Sequence, residues 1–205
     1  MHLSRQILFS IASLACYANG CNSPSDQIST VEYSIYSAIV DDVSSSTERS
    51  VAFVCESTLV IAPPVQYEYS GGKRIAVYHD HGIGSYAPTL DTSIQQIWPD
   101  LHVQDYQDDF RTRNSKPRFL SVDSIEGRLP IRVWHDHDSS LSYRVSHGEA
   151  LLFFFSSISI NHQGDEAVAY LDFVCGGLCG EGMWCWLKKS HGAWKIFKSF
   201  HTWVA

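Results

Sequence analysis

The sequence predicts an α+β fold in which an N-terminal helix, or helices, packs on a C-terminal antiparallel β meander. Three observations predict it. A capped, one-sided helix opens the chain after its leader; beyond Pro117 the apolar pattern is mostly that of strands; and the last strand-like runs are joined by hairpin-length turns. Segregated helices and hairpin-linked strands belong to α+β layouts rather than to alternating βαβ units. The 205 residues fit one domain with the length to bury a core. No internal repeat or second domain boundary is visible.

The helix begins at Ser29-Thr-Val-Glu32, where a hydroxyl and a carboxylate three residues on have capping-box spacing. Val31, Ile35, Ile39 and Val43 then fall on one face, and the helix ends between Asp41 and Ser46. Over residues 50–62 the period changes: Val51, Phe53, Cys55, Leu59 and Ile61 alternate until Pro63-Pro64 stops the run. Residues 67–78 read as strand interrupted by Gly71-Gly72. Residues 88–114 turn helical in parts, divided at Pro99, and the second piece, 100–113, carries Leu101, Val103, Tyr106 and Phe110. Strands follow over 119–122, 129–134, 141–145, 151–160, 167–174, 183–189 and 193–204. The turns Asn161-His-Gln-Gly-Asp165 and Ser190-His191-Gly192 join the last ones. Helices on one face of a curved sheet are compatible with a cystatin-like or NTF2-like cone, an analogy of fold that carries no function.

The first 21 residues read as a signal peptide. Arg5 is their only Lys, Arg, Asp or Glu, and residues 7–15 form an apolar run too short to span a bilayer. Ala18-Asn19-Gly20-Cys21 resembles a lipobox, which makes Cys21 the expected lipidation site. Ser13-Leu-Ala-Cys16 is a poorer second candidate, and ordinary cleavage after Ala18 is the bland alternative. Residues 22–28 then serve as a tether and 29–205 as the single domain. Asn22 after the cysteine resembles the default outer-membrane sorting pattern of Gram-negative lipoproteins. The expected location is accordingly the outer membrane, the periplasm or the exterior. Beyond residue 21 the chain holds 14 Lys and Arg against 22 Asp and Glu. That balance argues against nucleic acid and leaves the N-terminal lipid as the route to a membrane.

Cys175 and Cys179 flank a glycine-rich corner between two strands. In an oxidising compartment their reading is a structural disulfide, with the glycines supplying positive φ. A redox pair would have two intervening residues and a helix N-terminus beside it. Cys55 and Cys185 remain as a second candidate pair. The corner's glycines lack the Gly-Lys-Ser/Thr of a phosphate loop.

Two His-Asp-His segments form the other constellation. His79 and His81, and His135 and His137, sit at i and i+2, which on a strand turns both rings of a pair to one side. With Asp138 as an oxygen ligand, the four imidazoles would suit zinc or another transition metal. The bland reading is solvated strand ends. Ser146-His147 is no triad by adjacency, and no G-x-S-x-G elbow is present. Trp184, Trp186, Trp194 and Trp203 read as sheet packing or as a ligand groove.

In the last third, Ala167, Tyr170, Cys175-Gly176, Leu178-Cys179-Gly180, Gly182, Lys188-Lys189, Gly192, Trp194-Lys195 and Trp203 make a recurrent pattern. The pattern resembles a family of short bacterial secreted proteins and lipoproteins of unknown function. Asp108, Asp109, Phe110 and Asn114 are similar to a mid-chain feature of that family. The resemblance covers residues 105–205, implies an exported domain and supplies no catalytic residue. No complete catalytic set can be assembled. The sequence therefore points to a non-catalytic envelope protein without cofactor, binding a protein or small ligand on the open face of its sheet. The alternative is a metal-binding protein or metal-dependent hydrolase using the two His-Asp-His segments.

Overall fold

The computed structural model describes residues 27–61, 66–70, 73–77, 86–135 and 139–205. In chain order the elements are α1 (Thr30–Ser45), β1 (Ala52–Cys55), β2 (Val60–Ile61), β3 (Gln66–Ser70), β4 (Lys73–Val77) and β5 (Tyr86–Ala87). Helices α2 (Thr92–Ile97) and α3 (Gln104–Arg113) follow, then a 3-10 turn (Val122–Ser124), β6 (Ile131–Trp134) and α4 (Ser139–Ser146). The chain closes with β7 (Leu151–Phe155), β8 (Ser159–Ile160), β9 (Glu166–Gly176), β10 (Cys179–Ser190) and β11 (Ala193–Val204). The class is α+β, as the sequence predicts.

One mixed sheet of seven strands organises the fold, in the order β11-β10-β9-β7-β1-β6, with β8 also pairing β9. The expected meander is its C-terminal half: β9, β10 and β11 are consecutive and antiparallel. Strand β7 is antiparallel to β9, but β1 runs parallel to both β7 and β6. Two turns set the late registers. His191 and Gly192, at φ 52 and 84, form a type I′ corner between Ser190 and Ala193. Gly164 takes φ 74 in the β8–β9 loop, where Asn161 Oδ1 accepts from the Asp165 and Glu166 amides.

Helix α1 starts where the capping box places it. Ser29 Oγ accepts from the Glu32 amide at 3.2 Å, and the Glu32 carboxylate accepts from the Ser29 amide at 2.9 Å. Ile35, Tyr36, Ile39 and Val40 are fully buried against Ala167, Ala169, Leu171, Met183, Cys185 and Leu187 on one sheet face. The opposite face is covered as well. Leu90, Ile94, Trp98, Leu101, Tyr106 and Phe110, from α2, α3 and their flanks, pack on Val168, Tyr170, Trp184 and Trp186. Helix α4 covers that side of β1 and β7 through Val145 and Leu141. Residues 167–173 are therefore buried without interruption. The expected helix-on-one-face layout with an open sheet face is corrected here: β9 and the middle of β10 have no open face, because their alternation is apolar on both sides.

Two further expectations change. Residues 141–145 are helical within α4, since Leu141 and Val145 fit an i, i+4 face as well as a strand period, and the helix buries them against Phe53 and Trp134. Residues 119–122 make a single bridge, Ser57 to Phe119, and lead into the 3-10 turn. The 100–113 helix begins only at Gln104, and Leu101 and Val103 are buried before it starts.

A buried polar knot ties α1 to the second half of the chain. Glu32 is 2% exposed and Arg118 4%. Arg118 donates to the Glu32 carboxylate at 2.6 and 3.3 Å and to the Gln27 carbonyl at 2.7 Å. Arg113 bridges Glu32 at 3.5 Å and Asp109 at 2.8 Å, and Asp109 also accepts from Ser159. Asn114, fully buried, exchanges hydrogen bonds with Ser157 on the far side. Removing Arg118 leaves a carboxylate in the interior without its main counter-charge. Arg118→Ala is expected to cost about 3–5 kcal/mol in urea unfolding. The double change Glu32→Ala, Arg118→Ala should cost less than the two single losses added together.

Candidate functional site

Several expected site residues lie outside the described residues: Cys21, His79, His81, His137 and Asp138. His135 is described, exposed, directly after β6. Among the described residues no three His, Cys, Asp or Glu side chains gather in a way that would hold a metal ion. Among them, too, no helix is long and apolar enough to cross a membrane.

Cys175 and Cys179 are disulfide-bonded, as expected. The bond closes the β9–β10 hairpin, with Gly177 and Leu178 as its two tip residues and Leu178 92% exposed. Arg49 fastens the base of this corner, donating to the carbonyls of Gly148 and Cys175. The candidate Cys55–Cys185 pair does not form; both thiols are free. Strands β9 and β7 lie between β10 and β1, a gap of about 14 Å at the usual strand spacing, where a disulfide needs Cα atoms within about 7 Å. Burial pushes the Cys185 thiol up, so it stays protonated.

The corner's glycines have a different reason from the one expected. None of Gly176, Gly177, Gly180 and Gly182 has positive φ. Gly180 and Gly182 are required by close approach: a Cβ on Gly182 would overlap Trp203 Nε1 and Tyr170 Oη, and one on Gly180 would press on Trp203. These side chains form a cluster around Asp172, which accepts from Tyr170 Oη at 2.6 Å and Trp203 Nε1 at 3.0 Å. Thr202 Oγ1 donates to the Gly182 carbonyl at 2.9 Å and lies 3.2 Å from Tyr170 Oη. Thr202 reaches it as the extra residue of a β-bulge in β11. Burial, and then the bond to Asp172, pushes the Tyr170 hydroxyl up, so it remains a proton donor. Tyr170, the glycines and the last tryptophan of the recurrent pattern are thus one packing unit.

At the other end of the same hairpin lies the most exposed chemistry. Glu166, Lys188 and Lys195 face one another across β9, β10 and β11, and Trp186 faces Lys198 in the next row. A second bulge inserts Phe197 between Ile196 and Lys198, keeping Lys195 and Lys198 on one face although three residues apart. Phe197 is 51% exposed and stands edge-on to buried Trp186, their centroids 5.1 Å apart. Lys188 Nζ lies 4.5 Å from both ring centroids, and Lys198 Nζ 5.4 Å from both. Lys188 is held at 2.9 Å by Glu166, whose carboxylate also accepts from Trp186 Nε1 and Tyr106 Oη. Among the described residues Lys198 pairs with exposed Asp100, at 3.4 Å. Lys195 is exposed with no ion pair among the described residues, and Lys189 lies over Trp194.

Sequence reasoning missed this face because it weighed charge over the whole chain. The local signal was present: four of the six lysines fall after Glu181, and no Asp or Glu follows that residue. What the sequence left open was which lysines share a face, and a bulge decides that. Of the four late tryptophans, Trp184 and Trp186 are buried packing, with Trp184 against Phe110 and Trp186 against Trp98. A groove of about 550 Å³ lies beside Gln27, Ile28 and Tyr33, with exposed Phe119 on its wall.

Comparison with protein-family models, curated proteins and solved structures finds no match to this chain.

The disulfide spans a sequence separation of four, so a loop-entropy account assigns it a modest stabilisation of about 2 kcal/mol. Urea unfolding with and without a phosphine reductant measures this. The midpoint of the parent protein should fall on reduction, and that of a Cys175→Ser, Cys179→Ser variant should not move.

Proposed function

We propose that this chain is an exported, lipid-anchored binding protein of a bacterial envelope, non-catalytic, which captures an anionic ligand on the β10–β11 face. The observation that carries the reading is the Lys188–Lys195 pair, set directly across the strands beside exposed Phe197. Like charges facing each other across strands cost about 0.2–1 kcal/mol. Such local conflicts between sequence and fold gather at functional positions, where a ligand resolves them. A bound carboxylate or phosphate would take the place of the missing counter-charge at Lys195. Two of the lysines are held in place beforehand by aromatic rings and a carboxylate, which lowers the ordering cost of binding. The ligand itself need supply only negative charge and an apolar surface for Phe197.

Export is supported by the leader-like residues 1–21, by the resemblance of the cysteine corner to short secreted proteins and lipoproteins, and by a disulfide of the kind oxidising compartments preserve. Anchoring is assigned to Cys21, with residues 22–28 as tether. Intact mass of the full chain extracted from a Gram-negative host tests it. A mature N-terminus at Cys21 carrying acyl groups, abolished by Cys21→Ala, is expected; a free N-terminus at Asn19 removes the anchor from the reading.

Anion capture is tested by calorimetric titration of residues 22–205 with polyacrylate, a carboxylate polymer that has no peptide backbone. Binding that weakens steeply with added salt is expected. A Lys188→Ala, Lys195→Ala, Lys198→Ala variant with an unchanged thermal midpoint should bind about tenfold more weakly or worse. Equal binding by that variant, or none by the parent, overturns the reading.

A further inference from the structure

Strand β11 is the outermost strand of the sheet, 12 residues long, and among the described residues it pairs with β10 alone. Among the described residues no backbone group outside β10 bonds to its main chain between Ala193 and Val204. In an antiparallel pair, alternate residues of an edge strand turn their N–H and C=O groups outward, so β11 presents a row of unused donors and acceptors. Two regular runs, 193–196 and 198–201, lie on either side of the bulged Phe197. Lysines and bulges on an edge are devices that stop a sheet from extending onto copies of itself. Here Lys195 and Lys198 would meet lysines of a second β11, which disfavours the self-pair. The same two side chains favour a strand that carries carboxylates.

We infer that the ligand of this face is an extended acidic peptide segment that adds to the sheet as a strand beside β11, its carboxylates against Lys195 and Lys198. The inference rests on the anion-capturing face proposed above and goes further in naming the backbone as the second determinant. Strand addition derives affinity from main-chain hydrogen bonds and specificity from alternate side chains. Acidic residues alternating with apolar ones put every carboxylate on one face, with the two-residue period that strands impose. Phe197 lies on the lysine side, its ring beside Trp186, Lys188 and Lys198, so the stems of the carboxylate side chains pass along it while the apolar residues turn to the other side of the added strand. His201 adds no free charge to the strand, because its ring already meets Glu181 at 2.8 Å.

The test uses the full mature domain and two synthetic peptides. One is Glu-Val-Glu-Val-Glu-Val-Glu with blocked ends; the other is identical except for N-methyl groups on alternate amides, which keep the charge and remove one hydrogen-bonding edge. Titration is followed by calorimetry and by amide hydrogen exchange. The parent peptide is expected to bind about tenfold more tightly than the N-methylated one and to slow exchange in β11. Lys195→Glu, Lys198→Glu should abolish its binding, while a lysine-for-glutamate peptide should bind that variant instead. Equal binding of the two peptides, without protection of β11, overturns strand addition and leaves anion capture standing. Binding of neither removes both. Light scattering of the domain alone supplies the remaining arm: a concentration-dependent dimer with protected β11 amides would show that a second copy takes the edge, and the acidic peptide would then be the wrong occupant.

Discussion

Residues 167–173 are buried on both sides of β9, and the rest of the molecule follows from that constraint. A strand apolar on both faces requires two covering layers. Helix α1 supplies one, packing Ile35, Ile39 and Val43 over Ala167, Ala169 and Leu171. The chain from Leu90 to Phe110 supplies the other, placing Trp98, Tyr106 and Phe110 over Val168, Tyr170 and Trp186. Burial of large aromatic side chains in the second layer is worth about 1.5–3 kcal/mol each for the hydrophobic part alone. Once both faces are closed, the exposed surface of the sheet is confined to its edges.

The two layers are held in register by polar groups as well as apolar ones. Glu32 serves three ends at once: it caps α1, it neutralises Arg118, and through Arg113 it reaches Asp109 of α3. Tyr36 adds a bond from the helix to the Ser156 carbonyl, and burial followed by the nearby Glu32 charge keeps its hydroxyl protonated. A buried ion pair contributes little net stability beside an apolar alternative, but it penalises any arrangement that separates its partners. Here it specifies which end of α1 meets the 113–118 segment.

Both ends of the last hairpin depend on β-bulges in β11, with different results. The bulge at Thr202 folds a hydroxyl inward, completing the Tyr170–Asp172–Trp203 cluster that requires Gly182 to lack a side chain. The bulge at Phe197 turns a ring outward between two lysines. One irregularity locks the cysteine end; the other displays the lysine end. The disulfide and the Arg49 contacts brace the cysteine end, at the β9–β10 corner.

By itself the sequence determined the local features: the capping box at Ser29 and Glu32, the hairpin turns at 161–165 and 190–192, the late strands, and the Cys175–Cys179 corner. Each is written in neighbouring residues, where spacing and turn chemistry suffice. Tertiary structure alone decided the parallel pairing of β1 with β6 and β7, since partners about 80 and 100 residues away leave no local mark on a four-residue strand. It also decided that 141–145 is helix, because Leu141 and Val145 satisfy both periods and only the surface they cover chooses. The reason for Gly180 and Gly182 was likewise hidden: it lies in Trp203 and Tyr170, which the chain brings to them across two strands. The candidate binding face divides in the same way. Its charge was legible in the lysines after Glu181, whereas their grouping around Phe197 required the bulge and the sheet edge, which exist only once the strands have paired.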